Sequence, residues 1–383
     1  MENLKESSEV IFFLGAGASV GAGVPDTINF VKEFLQTNYN KDKNNLVNEI
    51  VKVLKEWKGQ DIDVELLLEV LTKLAKRQED PLLKFYNNEM TFLGGGYEKV
   101  EPVTEDLKSF IKQKGIVKSD KIKYFEPLLG FIEEYRPLDI ISVNYDITIE
   151  QFCNTYKKNY QDGFDVHWNP NVFKTETDIR LYKPHGSIMW YRSDRGGYIK
   201  LPVMTETNSI ELITGEKAEN LMLYPMQKSD YAEPLLELLV EIKHKLEAQS
   251  CKYLIVAGYS FRDDYIRRIF WDVAKNNHNL RLIIVDPKAY QIYIEKLKYY
   301  STDEKIPSSL NGRVVCLPYK FEDVLPYLKD YYLKNLREGL VRSAKYHLIE
   351  LKGNKQNWFP CLWPFLDAEY IDKIEETINL KNI

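Results

Sequence analysis

Phe12 to Asp26 reads FFLGAGASVGAGVPD: an apolar run ends at Leu14, and glycine then stands at 15, 17, 21 and 23 with little side-chain bulk between. The preceding residues complete a strand, EVIFFL, and the following TINFVKEFLQTNY has apolar positions at helical spacing. Strand, glycine loop and helix together can hold an anion: backbone N–H groups, a helix dipole and missing side chains let a phosphate come close. On that reading Gly15, Gly17 and Ser19 face a diphosphate. Two familiar loops are excluded. No lysine follows a glycine, so this is not the P-loop of triphosphatases, and Val20 stands where a GxGxxG fingerprint needs its third glycine. The chain also runs on into helices where a dehydrogenase would place a second strand ending in an acidic residue. The plain alternative is a tight strand-to-helix turn with no ligand.

Beyond this stretch the pattern is helical from about Lys41 to Leu93, breaks at LGGGYEKVEP around Gly95, and resumes in VTEDLKSFIKQKG and KYFEPLLGFIEEY. Strands then return as LDIISV (138–143), IRLYK (179–183), KYLIVA (252–257) and RLIIVD (281–286), with the helix RDDYIRRIFWDVAKN between the last two. Strand, helix, strand at this spacing predicts an α/β fold: a Rossmann-like parallel sheet with helices on both faces. A helical insertion occupies about 40–135. The expected domain is 1–334, and 335–383 forms a helical, then aromatic-rich C-terminal extension (NWFPCLWPF).

Composition narrows the function classes. The chain has 383 residues, 44% hydrophobic and 28% charged, as in a soluble globular protein. Its 52 basic residues are outnumbered by 57 acidic ones, which argues against wholesale nucleic-acid binding. No apolar run approaches the ~20 residues that span a bilayer. The polar, acidic start MENLKESSEV is unlike a signal peptide, so the expected location is cytoplasmic. Four cysteines (Cys153, Cys251, Cys316, Cys361) lie far apart without a CxxC pair, which predicts reduced thiols, no zinc module and no bound metal.

Each later strand ends in polar residues. Asn144, Tyr145 and Asp146 follow DIISV; Pro184, His185, Gly186 and Ser187 follow RLYK. Gly258, Tyr259 and Ser260 follow YLIVA, with Asp263 placed to cap the next helix, and Asp286 ends RLIIV. In an open parallel sheet the ligand crevice lies at the carboxyl ends of the strands. Taken singly, Asn144 and Asp146 could be turn residues and His185 a satisfied core histidine. Taken together they read as a nucleotide site.

As an ordered set these residues resemble the sirtuin family: Gly15-Ala16-Gly17-Ala18-Ser19, Gly23-Val24-Pro25-Asp26, Asn144-Tyr145-Asp146, His185-Gly186-Ser187 and Gly258-Tyr259-Ser260, over about residues 10–290. Two departures stand out. The four-cysteine zinc module of the family's deacylases has no counterpart here, and Thr27-Ile28 replaces the Phe-Arg that usually follows the Pro-Asp. The motifs look most like bacterial sirtuin-like proteins of antiphage defence, which resemble NAD-consuming hydrolases. Those of this size are found beside a HerA-type ATPase.

The resemblance implies a function as NAD+ hydrolase, releasing nicotinamide and ADP-ribose, with NAD+ as substrate and no metal. It implies that Gly15, Ala16, Gly17 and Ser19 cradle the phosphates with help from Gly258 and Ser260. Asp146 and the Pro25–Asp26 turn face nicotinamide, although Asp26 could instead cap the following helix. Asn144 holds a water or the ribose hydroxyls, and His185 is the natural base, its ordinary pKa of about 6.5 suiting neutral pH. Asp286 is placed to accept hydrogen bonds from the adenosine ribose. His167, in DVHWNPN, could also approach the site, but reads more simply as a loop histidine. A homo-oligomer is expected, since a toxic hydrolase must be held in check. The alternatives are an NAD-dependent deacylase, or a non-catalytic NAD or ADP-ribose sensor regulating a partner ATPase.

Overall fold

The computed structural model describes residues 7–37, 41–75, 100–201, 208–213, 215–222, 234–298 and 313–334. The expected break at Gly95 and the C-terminal extension 335–383 lie outside the described residues. Seven strands form one all-parallel sheet in the order β11 (Val314–Leu317), β10 (Arg281–Val285), β9 (Tyr253–Ala257), β1 (Val10–Leu14), β2 (Leu138–Ser142), β4 (Ile179–Tyr182) and β3 (Tyr160–Gln161). The expected strands at 138, 179, 252 and 281 are all present within a residue or two of their anticipated ends.

The central strand shows why the sheet is covered on both faces. Every residue of β1 is buried, and successive side chains point to opposite faces. Val10, Phe12 and Leu14 enter one apolar layer, and Ile11 and Phe13 enter the other. The first layer takes apolar residues from α1 (Thr27–Gln36), α2 (Lys41–Lys58), α3 (Val64–Ala75), α4 (Val100–Gly115), α5 (Leu128–Tyr135) and α6 (Thr148–Tyr156). The second takes them from α7 (Leu235–Glu247), α8 (Asp264–Asn276) and α9 (Ala289–Ile292). The last described α-helix, α10 (Phe321–Tyr327), returns to the first layer. The described helices of the expected insertion, about 40–135, contribute to the core on this face of the sheet. One charged pair lies inside the sheet: Asp139 of β2 is opposite Arg180 of β4 and receives two guanidinium hydrogen bonds, of 2.6 and 2.8 Å.

A second sheet was not foreseen. It is antiparallel, in the order β6 (Tyr198–Lys200), β5 (Gly186–Ser193), β8 (Lys217–Met222) and β7 (Ser209–Glu211). Two of its strands have three residues each, and exposed charges interrupt their apolar positions, so no periodic run marks them. No helix among the described residues is long and apolar enough to cross a membrane.

Candidate active site

What approaches the glycine backbone is the protein itself. A Cβ at Gly15 would lie 2.5 Å from the Gly258 carbonyl oxygen and 2.8 Å from the Tyr259 Cα; one at Gly17 would lie 2.7 Å from the Gly258 Cα. Gly258 adopts φ +60°, and a Cβ there would meet the Ala18 nitrogen at 2.3 Å. The amide of Gly15 donates to Ala257 O (2.9 Å) and that of Gly17 to Gly258 O (3.0 Å). These two amides are therefore committed to the exit of β9, which corrects the expectation that they point outward at a diphosphate. The segment is a 3-10 turn, Ala16–Ala22, and α1 begins only after Asp26. Asp26 caps that helix, its carboxylate accepting from the amides of Ile28 (3.0 Å) and Asn29 (2.8 Å).

Above this junction a cleft of about 550 Å³ opens at the carboxyl ends of the strands, a size suited to a cofactor-like ligand. Ala16, Gly17 and Asp26 line it from the β1 side, Asn144 from β2 and His185 from β4. Gly258, Ser260 and Asp286 complete the rim after β9 and β10. Gly15 and Ser19 lie beneath the floor, and Pro25 and Asp146 line a smaller cavity alongside. Of the histidines weighed, His167 is exposed, pairs in an isolated bridge with Ile199 and does not line the cleft.

Asn144 is 8% exposed, and its orientation is set by chemistry. Its Nδ2 donates to the Gly15 carbonyl (2.9 Å) and to Ser19 Oγ (3.1 Å). A carbonyl can only accept, so the amide nitrogen must face it. Both N–H hydrogens are then spent, and Oδ1 is the acceptor that Asn144 offers the cleft. Ser19 thus acts through Asn144; Thr148 Oγ1 supports it at 3.3 Å.

His185 is 1% exposed and sits where the chain turns from β4 into β5. Its neighbour must be glycine: Gly186 has φ +85°, and a Cβ there would lie 2.2 Å from the Leu221 carbonyl oxygen. His185 Nε2 lies 3.2 Å from Asp263 Oδ2, while Nδ1 is buried without a hydrogen-bond partner among the described residues. Asp263 caps α8 through its other oxygen, accepting from Tyr265 N (2.7 Å) and Ile266 N (3.1 Å). Burial would push the Asp263 carboxyl up, but His185 and the two helix amides outweigh it and hold the group below its ordinary value. An ionised Asp263 accepts the Nε2 hydrogen and leaves Nδ1 as the free base nitrogen. Sequence reasoning found the cap and missed this pairing, because the partners are 78 residues apart.

Beneath the rim, Lys183 ties two strand exits together. Its Nζ donates to Glu150 Oε1 (2.8 Å), to the Asp146 carbonyl (2.5 Å) and to Ser187 Oγ (3.3 Å). Asp146 itself accepts from Thr148 N (2.9 Å) at the start of α6. Asp286 accepts from Lys288 N (2.7 Å); burial raises its carboxyl pKa, against the pull of Lys288.

Glu65, in the first turn of α3, was not foreseen. It lines both the cleft and the smaller cavity. Asp63 sets its position, capping α3 through Leu66 N (2.9 Å) and pairing with Arg262 at 2.7 Å. The cap pattern Asp-Val-Glu was the available signal. Among the described residues, no three His, Cys, Asp or Glu side chains converge as a metal site, and Cys153, Cys251 and Cys316 are buried and form no disulfide.

A family profile described as a SIR2-like domain matches residues 139–304, a span that takes in Asn144, Asp146, His185, Gly258, Ser260 and Asp286 but not the glycine segment. Among solved structures, one described as giving the structural basis for the mechanism and regulation of Sir2 enzymes is similar at 13% identity and a TM-score of 0.41, covering 86% of this chain and 94% of that chain. A Sir2–p53 peptide–NAD+ complex is similar at 12% identity and a TM-score of 0.40, covering 87% and 95%. No curated protein matches the sequence.

Proposed function

We propose that this chain is an NAD+ hydrolase, cutting the nicotinamide–ribose bond to give nicotinamide, ADP-ribose and a proton. The observation that carries the reading is the pairing of an Asn144 whose donors are spent on Gly15 and Ser19, leaving its acceptor Oδ1, with a His185 whose Nε2 is engaged by Asp263, on one rim of a cofactor-sized cleft. The SIR2-like match over that rim supports chemistry on NAD+.

The diphosphate lies along Ala16, Gly17, Gly258 and Ser260, the adenosine ribose reaches Asp286, and nicotinamide enters the smaller cavity beside Pro25 and Asp146. As the C1′–N bond breaks, its electron pair leaves with the nicotinamide nitrogen and positive charge develops on C1′. A water held by Asn144 Oδ1 forms the new C1′–O bond and gives its proton to His185 Nδ1. Nicotinamide is already a good leaving group, so positioning and charge account for most of the work.

The resemblance drawn from the motifs extends the proposal. Hydrolysis would deplete NAD+ in antiphage defence, in a cytoplasmic homo-oligomer working beside a HerA-type ATPase, with 1–334 as the catalytic domain and 335–383 as an appendage. The test is to follow free nicotinamide from purified protein and NAD+, with and without an acetylated peptide. Release without peptide is the expected result. Release that requires peptide makes the protein a deacylase, and no release with tight NAD+ binding makes it a sensor.

A further inference from the structure

Two cavities meet at this site, and Ala16, Thr27, Glu65, Val143 and Asn144 line both. These five residues form the neck between them. A substrate with its nicotinamide in the small cavity and its ribose in the large one places the bond to be broken at that neck. Of the five, Glu65 alone can carry a charge. His185 lines the large cleft and not the small cavity.

We propose that Glu65 is a further catalytic residue, whose carboxylate faces C1′ at the neck and stabilises the positive charge that develops there as nicotinamide leaves. The assignment rests on the hydrolase reading. The Asp63–Arg262 ion pair and the Asp63 cap fix the first turn of α3, which carries Glu65, against the rim, and among the described residues no hydrogen bond or ion pair engages the Glu65 carboxylate. A fixed charge in a partly dehydrated site needs no reorganisation when the cation forms, which is what makes such groups effective. Its surroundings keep the charge in balance. Burial pushes the Glu65 carboxyl up to about 7; Asp63 and Asp263 push the same way, and His185 and Arg262 oppose them. Proximity to a cationic nicotinamide ribosyl group favours the ionised form.

The test compares Glu65→Gln, Glu65→Asp and the parent in nicotinamide release from NAD+ across pH. In the parent, ionisation of Glu65 contributes to the acid limb. Glu65→Gln should lower kcat on the order of 10²-fold with KM little changed, and remove that contribution from the limb. Glu65→Asp keeps the charge and should keep the contribution. Glu65→Gln turning over at the parent rate, or both variants losing activity equally with an unchanged limb, makes Glu65 a packing residue and overturns the assignment while leaving the hydrolase reading in place. A parent that releases no nicotinamide overturns both.

Discussion

The two ring nitrogens of His185 have unlike surroundings: Nε2 pairs with Asp263, and Nδ1 is buried with no hydrogen-bond partner among the described residues. In the proposed hydrolase, that asymmetry gives the histidine a base nitrogen of defined geometry. Asp263→Asn keeps the shape and the helix cap but supplies an amide that no longer holds Nε2–H. The imidazole can then turn or change tautomer, and turnover should fall by about 10²-fold or more with NAD+ binding preserved. The folding consequence has a definite sign. Because the Asp263 carboxyl is held below its ordinary value, it stabilises the parent above that value and the contribution is lost as pH falls through the folded pKa. Thermal melts of parent and Asp263→Asn should therefore converge in acid. Gly258 shows a purely structural constraint. An alanine there combines φ +60° with contact at 2.3 Å to the Ala18 nitrogen, and should cost on the order of 3 kcal/mol in chemical denaturation. Gly15→Val, which a phosphate cradle would turn into a binding defect, is for the same reason expected to fail in folding.

Elements, not single residues, bring the site together, and the join between the exits of β2 and β4 is a buried ion pair. Lys183 and Glu150 are 1% and 6% exposed, and Lys183 also holds the Asp146 carbonyl. Replacing Lys183 by Met strands a buried carboxyl, a loss of about 3–5 kcal/mol while it stays charged. Burial raises the Glu150 pKa even with Lys183 present, opposed by Lys183 itself. Without Lys183 the group takes up a proton instead, so Lys183→Met should be closest to the parent in acid and lose stability as pH rises through the raised pKa. Denaturant midpoints across pH check this; a difference that stays flat contradicts it. At this scale the sequence was readable where physics is local. The apolar runs of β1, β2, β4, β9 and β10, and the caps at Asp26 and Asp263, follow from neighbours in the chain. The second sheet was hidden because two of its strands have three residues and derive their stability from cross-strand pairing. The His185–Asp263 pair and the placement of Glu65 were hidden because they join separate segments across the rim.

At the scale of the whole molecule, one parallel sheet carries everything: helices bury both faces, and the carboxyl edge is left as the place where a ligand can meet several strand exits at once. The glycine segment that suggested a phosphate cradle turns out to be the seam at which β1 and β9 close, and the cleft lies above that seam. The central claim is that this cleft hydrolyses NAD+ with Asn144 and His185 acting as a unit. The most direct measurement is nicotinamide release by the parent, His185→Ala, Asn144→Ala and the double variant, with NAD+ affinity measured separately by calorimetry. The account predicts release by the parent without any peptide, losses on the order of 10²–10⁴ in each single variant with binding nearly intact, and little further loss in the double variant. A folded His185→Ala protein that releases nicotinamide at the parent rate would show that the histidine only packs the turn, and would contradict the account.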